Sequence, residues 1–144
     1  MNSLREQLCR DEGVKLTAYQ DTLGYWTIGV GHWLGPASET KWKGYKITQQ
    51  QCDLMLDGDI AKHTALLTTK LPWVCSLDQV RQEVLINMYF NMGDKLLQFV
   101  NTLGMFKAKN FEGAAANMLK SKWAEQVKGR ATRLSVQTRT GIRQ

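Results

Sequence analysis

The sequence predicts a mainly helical α+β fold, in which a small N-terminal lobe with a β-hairpin is joined by a long helix to an all-α C-terminal lobe. Three observations carry this. The apolar period changes from helical to two, and back again, between residues 13 and 48. Hydroxyl residues stand three positions before a carboxylate or amide at Ser3/Glu6, Thr48/Gln51 and Ser76/Gln79, the pattern of a capping box at a helix start. Helical spacing then runs unbroken from Thr48 to about Thr68, roughly 30 Å of helix, which is long enough to bridge two lobes.

Taken in order, the first helix starts at Ser3, buries Leu4 and Leu8 and stops at Gly13. "KLTAY" and "YWTIGV" are rich in β-branched and aromatic residues and flank the turn formers "QDTLG", so they pair as a hairpin. "LGPASETKWKGY" is a glycine- and proline-punctuated loop, with Trp42, Lys43 and Tyr45 as a widened binding surface or a lid-like insertion. The second helix sets Cys52, Met55, Leu56, Ile60, His63 and Leu67 on one face, and the third sets Val80, Val84, Met88 and Tyr89. Shorter helices are predicted around 95–106, 111–119 and 130–137.

Composition narrows the function classes. With 43% apolar and 22% charged residues in 144, the chain is globular rather than disordered. Its net charge of +6, with basic residues thickening from Lys120 to Arg143, favours a polyanionic partner without choosing between nucleic acid and a cell envelope. Cys9, Cys52 and Cys75 are too scattered to ligate zinc and read as buried free thiols of a reducing compartment. The charged start "MNSLREQLCRDEG" has no apolar signal region, and no run reaches the roughly 18 apolar residues of a membrane span.

The chemistry gathers where the first helix meets the hairpin. Glu12 ends that helix, Asp21 sits on the hairpin turn and Thr27 lies on the returning strand, so three pieces of backbone bring two carboxylates and a hydroxyl to one face. Two carboxyl groups suit glycoside hydrolysis, in which one protonates the leaving oxygen and the other activates water or stabilises charge. A carboxyl at a helix C-terminus meets the negative end of the macrodipole, which disfavours the charged form and suits a general acid. An aspartate on a turn is better solvated and stays ionised. Singly, each residue has an ordinary structural reading: a helix end, a turn former, a histidine tying elements together. Gly29-x-Gly31 is no phosphate loop, because no third glycine, no following helix and no Lys-Ser/Thr accompany it.

Together, Glu12, eight residues, Asp21, five residues and Thr27, set within D-E-G…Y-x-D…G-x-x-T-I-G-x-G-H, resemble the signature of the phage-type lysozymes (endolysins), glycoside hydrolase family 24. "SLDQVRQEVLINMYFNMG", "FVNTL" and "AAANMLKSKWAEQVKGRATR" resemble the C-lobe of that family in the same order. The resemblance implies one lysozyme domain over 1–144, with an N-lobe at about 13–59, a linking helix at about 48–68, and a C-lobe at about 69–144 joined by the N-terminal helix 3–12. It implies that Glu12 is the acid and that Asp21 with Thr27 addresses the attacking water, inverting the anomeric centre. Trp33, Phe90, Thr102 and Asn117 fall where the family contacts the sugar strand or its peptide. Arg130 matches an arginine that pairs with the catalytic glutamate, and His32 one that pairs with an aspartate, here Asp59.

On this reading the substrate is the β-1,4 bond between N-acetylmuramic acid and N-acetylglucosamine in peptidoglycan. No metal or organic cofactor is implied. The expected protein is a monomer held in the host cytoplasm, released to the wall at lysis by a separate holin-type permeabiliser. Two other readings compete. A lytic transglycosylase, leaving anhydro-muramic ends, has no need of the Asp21/Thr27 water site. A non-catalytic basic binding module would make the carboxylates incidental, and no nucleic-acid signature supports one.

Overall fold

The computed structural model describes residues 2–144, which divide into two compact units: residues 5–62, and residues 2–4 together with 63–144. Among these residues it is a mainly helical α+β structure with one small antiparallel sheet, and no helix is long and apolar enough to cross a membrane.

The sheet unit begins in helix α1 (Leu4–Glu12). Gly13 closes it by donating its amide to Cys9 O at 3.0 Å with φ +78°, a left-handed cap that turns the chain out of the helix immediately after Glu12. Strands β1 (Lys15–Gln20), β2 (Trp26–Gly29) and β3 (His32–Gly35) follow in the spatial order β1-β2-β3. Beyond "YWTIGV", the chain therefore forms a further strand that the hairpin reading does not include. The chain reverses over Gly29–Gly31, placing Ile28 opposite His32 and Thr27 opposite Trp33. Both glycines have positive φ, which an alternation pattern cannot register.

Beyond β3, residues 36–48 return to the free edge of β1. A 3-10 turn at Thr40–Trp42 leads to an isolated bridge of Thr17 with Lys46, flanked by Ala18 N to Tyr45 O (2.8 Å) and Ile47 N to Leu16 O (2.9 Å). The loop is thus stitched to the sheet, and Trp42 is fixed by its Nε1 donating to Glu39 Oε2 at 3.0 Å. Helix α2 (Gln49–Lys70) then opens on the capping box: Gln51 N donates to Thr48 Oγ1 at 3.1 Å and Thr48 N to Gln51 Oε1 at 2.8 Å. Leu8, Ala18, Trp26, Ile28, Val30, Ile47, Cys52 and Leu56 are the buried apolar residues of this unit.

The helical unit takes the end of α2, a 3-10 segment Pro72–Ser76, and helices α3 (Gln79–Met92), α4 (Val100–Lys107), α5 (Phe111–Met118), α6 (Lys122–Val127) and α7 (Gly129–Thr140). Helix α3 is buried at every position from Glu83 to Tyr89, so other elements cover its full circumference. Its cap is Asp78, whose carboxylate accepts from Arg81 N at 3.1 Å. The predicted Ser76 box does not form: Ser76 ends the 3-10 segment and donates to Trp73 O at 2.7 Å. Helix α6, absent from the sequence reading, starts where Ser121 Oγ accepts from Ala124 N. The chain end is held by a two-pronged pair of Arg143 with buried Glu83, at 2.8 and 2.7 Å.

All three cysteines are free, but only Cys52 is buried. Cys75 lies exposed on the 3-10 segment, a surface position that the spacing of cysteines does not reveal.

Candidate active site

Glu12, Asp21 and Thr27 all belong to the sheet unit, and local hydrogen bonding explains where each sits. Asp21 organises the β1–β2 turn: its Oδ1 accepts from both Leu23 N and Tyr25 N at 2.9 Å, while its own amide donates to Tyr25 O at 2.8 Å. Oδ1 is committed to the backbone and Oδ2 makes no hydrogen bond among the described residues. Gly24, at φ +86°, lets the turn close with its amide on Asp21 O. Thr27 is 6% exposed, and its hydroxyl donates to Tyr25 O at 3.2 Å, which leaves its lone pairs as acceptors.

Glu12 is held against the second hairpin. A Cβ added to Gly31 would stand 3.2 Å from Glu12 Oε2 and 3.4 Å from its Cδ and Cγ, so the bare glycine is the wall on which this carboxyl rests. Gly31 also has φ +63°. Position 31 is therefore restricted twice, by conformation and by the carboxyl it faces. Gly29 is the corresponding close approach to α2, where an added Cβ would lie 3.4 Å from Cys52 Sγ.

Tyr19 completes the arrangement and was given no role from sequence. It stands directly opposite Thr27 in the β1–β2 ladder. Burial, then the negative charges of Glu12 and Asp21, push its phenol above the ordinary value, so one ring feels both carboxylates. The register makes Tyr19, Thr27 and Trp33 a row across the three strands on one face of the sheet. Trp33, at its end, is 58% exposed. Behind the row, His32 Nδ1 lies 2.7 Å from Asp59 Oδ2, tying β3 to α2.

The remaining predicted residues lie in the helical unit. Thr102 and Asn117 are brought together, Asn117 Nδ2 donating to Thr102 Oγ1 at 2.7 Å, and both line an open hollow of about 310 Å³ with Phe99, Val100, Asn101 and Lys120. Phe90 is half-buried, its ring 5.0 Å from that of His63. Arg130 is buried and donates from Nε to Asn87 Oδ1 at 3.0 Å. Among the described residues no three His, Cys, Asp or Glu side chains gather in a way that would hold a metal ion.

Chemically, the sheet unit offers a carboxyl on a helix end, a second carboxylate pinned by one oxygen, and a hydroxyl beside it. The model of the family described as "Phage lysozyme" matches residues 10–140. "Probable T4-type lysozyme 1" of Dictyostelium discoideum is 29% identical, covering 98% of this chain and 96% of that protein. "Endolysin" of Acyrthosiphon pisum secondary endosymbiont phage 1 is 33% identical over 87% of this chain and 80% of its own. "Pre-baseplate central spike protein Gp5" of Enterobacteria phage T4 is 31% identical over 96% of this chain, but only 28% of that protein is covered. The chain belongs to the phage lysozyme family and is a lysozyme-type glycoside hydrolase of peptidoglycan.

Proposed function

We propose that the protein hydrolyses the β-1,4 bond between N-acetylmuramic acid and N-acetylglucosamine with inversion at the muramic anomeric carbon. The observation that carries this reading is the division of labour between the two carboxyl groups. Glu12 rests on bare Gly31, whereas Asp21 spends one oxygen on two backbone amides and keeps the other available. Glu12 donates its proton to the glycosidic oxygen as the C–O bond breaks. A water held between Asp21 and Thr27 gives a proton to Asp21 as its oxygen bonds to the anomeric carbon from the opposite face. The expected separation of the two carboxyl groups is in the inverting range of roughly 6.5–9.5 Å.

The same reading assigns Trp33, Phe90, Thr102 and Asn117 to the sugar strand and its peptide. Arg130 pairs with Glu12, and His32 with Asp59 braces the hairpin. Two lobes joined by α2 make one domain. The enzyme acts as a monomeric endolysin, kept from the wall in the host cytoplasm until a holin-type partner opens the membrane.

Mass spectrometry of peptidoglycan fragments released in oxygen-18 water tests the chemistry. Labelled reducing ends on muramic acid are expected, with the α anomer formed first by NMR. Unlabelled anhydro-muramic ends would transfer the assignment to a transglycosylase. Glu12→Gln abolishes cleavage in either case, whereas Asp21→Ala cripples only the hydrolase.

A further inference from the structure

The sheet face that carries Thr27 does not end at Tyr19. Along β1, Lys15 and Thr17 are exposed while Leu16 and Ala18 are less so, an alternation that leads to Tyr19 although the register with β2 shifts between Lys15 and Tyr19. Lys15 confirms its side by lying over the Tyr19 ring, with Nζ 5.5 Å from the centroid. The loop that returns along β1 places Lys46 directly opposite Thr17, and residues directly opposite each other in a ladder share a face. Lys46 therefore stands on that face two residues along the ladder from the row that runs through Tyr19 and Thr27 to Trp33.

Lys15 and Lys46 are both exposed, and neither makes an ion pair with a carboxylate among the described residues. Lys41, on the same loop, differs: its ammonium lies 3.7 Å from Glu39 and 5.0 Å from the Trp42 centroid. The two lysines on the face are thus available to a ligand, and they stand on a fixed strand edge rather than a free loop, because hydrogen bonds at 2.8 and 2.9 Å flank the Thr17–Lys46 bridge.

We infer that Lys15 and Lys46 form an anion subsite at the open edge of the catalytic sheet, which takes a carboxylate of the peptide stem on a muramic residue bound over Tyr19. This inference rests on the proposed peptidoglycan reading. A sugar strand laid across Thr27 carries its carboxylates on the lactate-linked peptides and not on the glycan, so cations at the edge of that face read the peptide. Two exposed ion pairs contribute modestly and in a salt-sensitive way.

The test compares kcat/KM on intact peptidoglycan strands with kcat/KM on the same strands stripped of peptide by an amidase, with the lactyl carboxylates that the amidase frees capped as amides. Lys15→Gln/Lys46→Gln is expected to lower the intact-to-stripped ratio by roughly three- to tenfold at low ionic strength. The difference should fade in about 0.5 M salt, where the screening length is only a few ångströms. Lys41→Gln serves as the charge control and leaves the ratio in place. An unaltered ratio in the double variant, or an equal fall with Lys41→Gln, overturns the subsite. Cleavage of neither substrate by the wild-type protein would instead overturn the hydrolase reading itself.

Discussion

The two units of the molecule are specified by different physics. The helical unit is organised by burial: α3 is covered on all sides, and Leu85, Met88, Leu96, Phe106 and Met118 are fully enclosed in a continuous apolar cluster. The sheet unit has fewer large buried residues and is instead defined by backbone chemistry. Left-handed glycines at 13, 24, 29 and 31, an aspartate bonded to two amides and a reciprocal helix cap determine its shape. A core specified by volume tolerates many sequences of similar size. A site specified by positive φ and by particular hydrogen bonds tolerates few. The Glu12, Asp21 and Thr27 constellation lies in the second kind of structure, where small displacements of backbone move the two carboxyl groups and the hydroxyl.

The sharpest contrast comes from a cavity in the helical unit. Phe106→Ala removes a fully buried ring that packs edge-on to Phe111 at 6.3 Å, and should destabilise the protein by about 4 kcal/mol in urea unfolding. Its kcat, measured on the folded fraction, should stay near wild type. A large fall in kcat would show that the helical core sets the site geometry directly. Gly31→Ala should do the reverse. The left-handed conformation costs alanine about 1–2 kcal/mol, and the new methyl presses the Glu12 carboxyl by a few tenths of an ångström. We expect kcat to fall about tenfold, more than the stability loss explains. A variant with normal kcat would remove Gly31 as the wall behind the acid.

These two variants also mark what was legible in the sequence. The first hairpin, the long α2 and the Glu12, Asp21 and Thr27 spacing were legible because each is written in neighbouring residues. The role of Gly31 was not, since a glycine does not announce which side chain will rest on it. Tyr19 lay in the quoted motif, yet its closeness to both carboxylates needs the register of β1 on β2. β3 was not legible because alternation continues through the glycine turn that separates it from β2. The period of Val80, Val84, Met88 and Tyr89 marked α3, but not that the helix is buried on every side from Glu83 to Tyr89.

The capping boxes give a smaller and cleaner comparison. Thr48 and Ser76 match the same pattern, but of these two Thr48 alone finds its amide, and Asp78 displaces Ser76 by standing one residue before the helix. Thr48→Ala should therefore cost about 1 kcal/mol, with Thr48→Ser restoring it. Ser76→Ala should change stability by less than about 0.5 kcal/mol. Equal losses at the two positions would mean that the pattern, not the observed bond, governs.

The smallest expected effect probes the site without touching its chemistry. The Tyr19 phenol is raised above 10.0 by burial first, and then by the charges of Glu12 and Asp21. Its folded value lies above the unfolded one, so its contribution to stability is whole below pH 10 and is lost as pH rises through the folded value. The phenolate absorbance of wild type minus Tyr19→Phe isolates this one ring from the other three tyrosines. Glu12→Gln removes one of the two negative charges and should shift that difference titration back towards 10.0, with Asp21→Asn acting in the same direction. Because burial remains, neither variant should return it fully. A titration that moves with Asp21 alone would place the acid outside the reach of Tyr19, and the row of Tyr19, Thr27 and Trp33 would then belong to the water side of the reaction only.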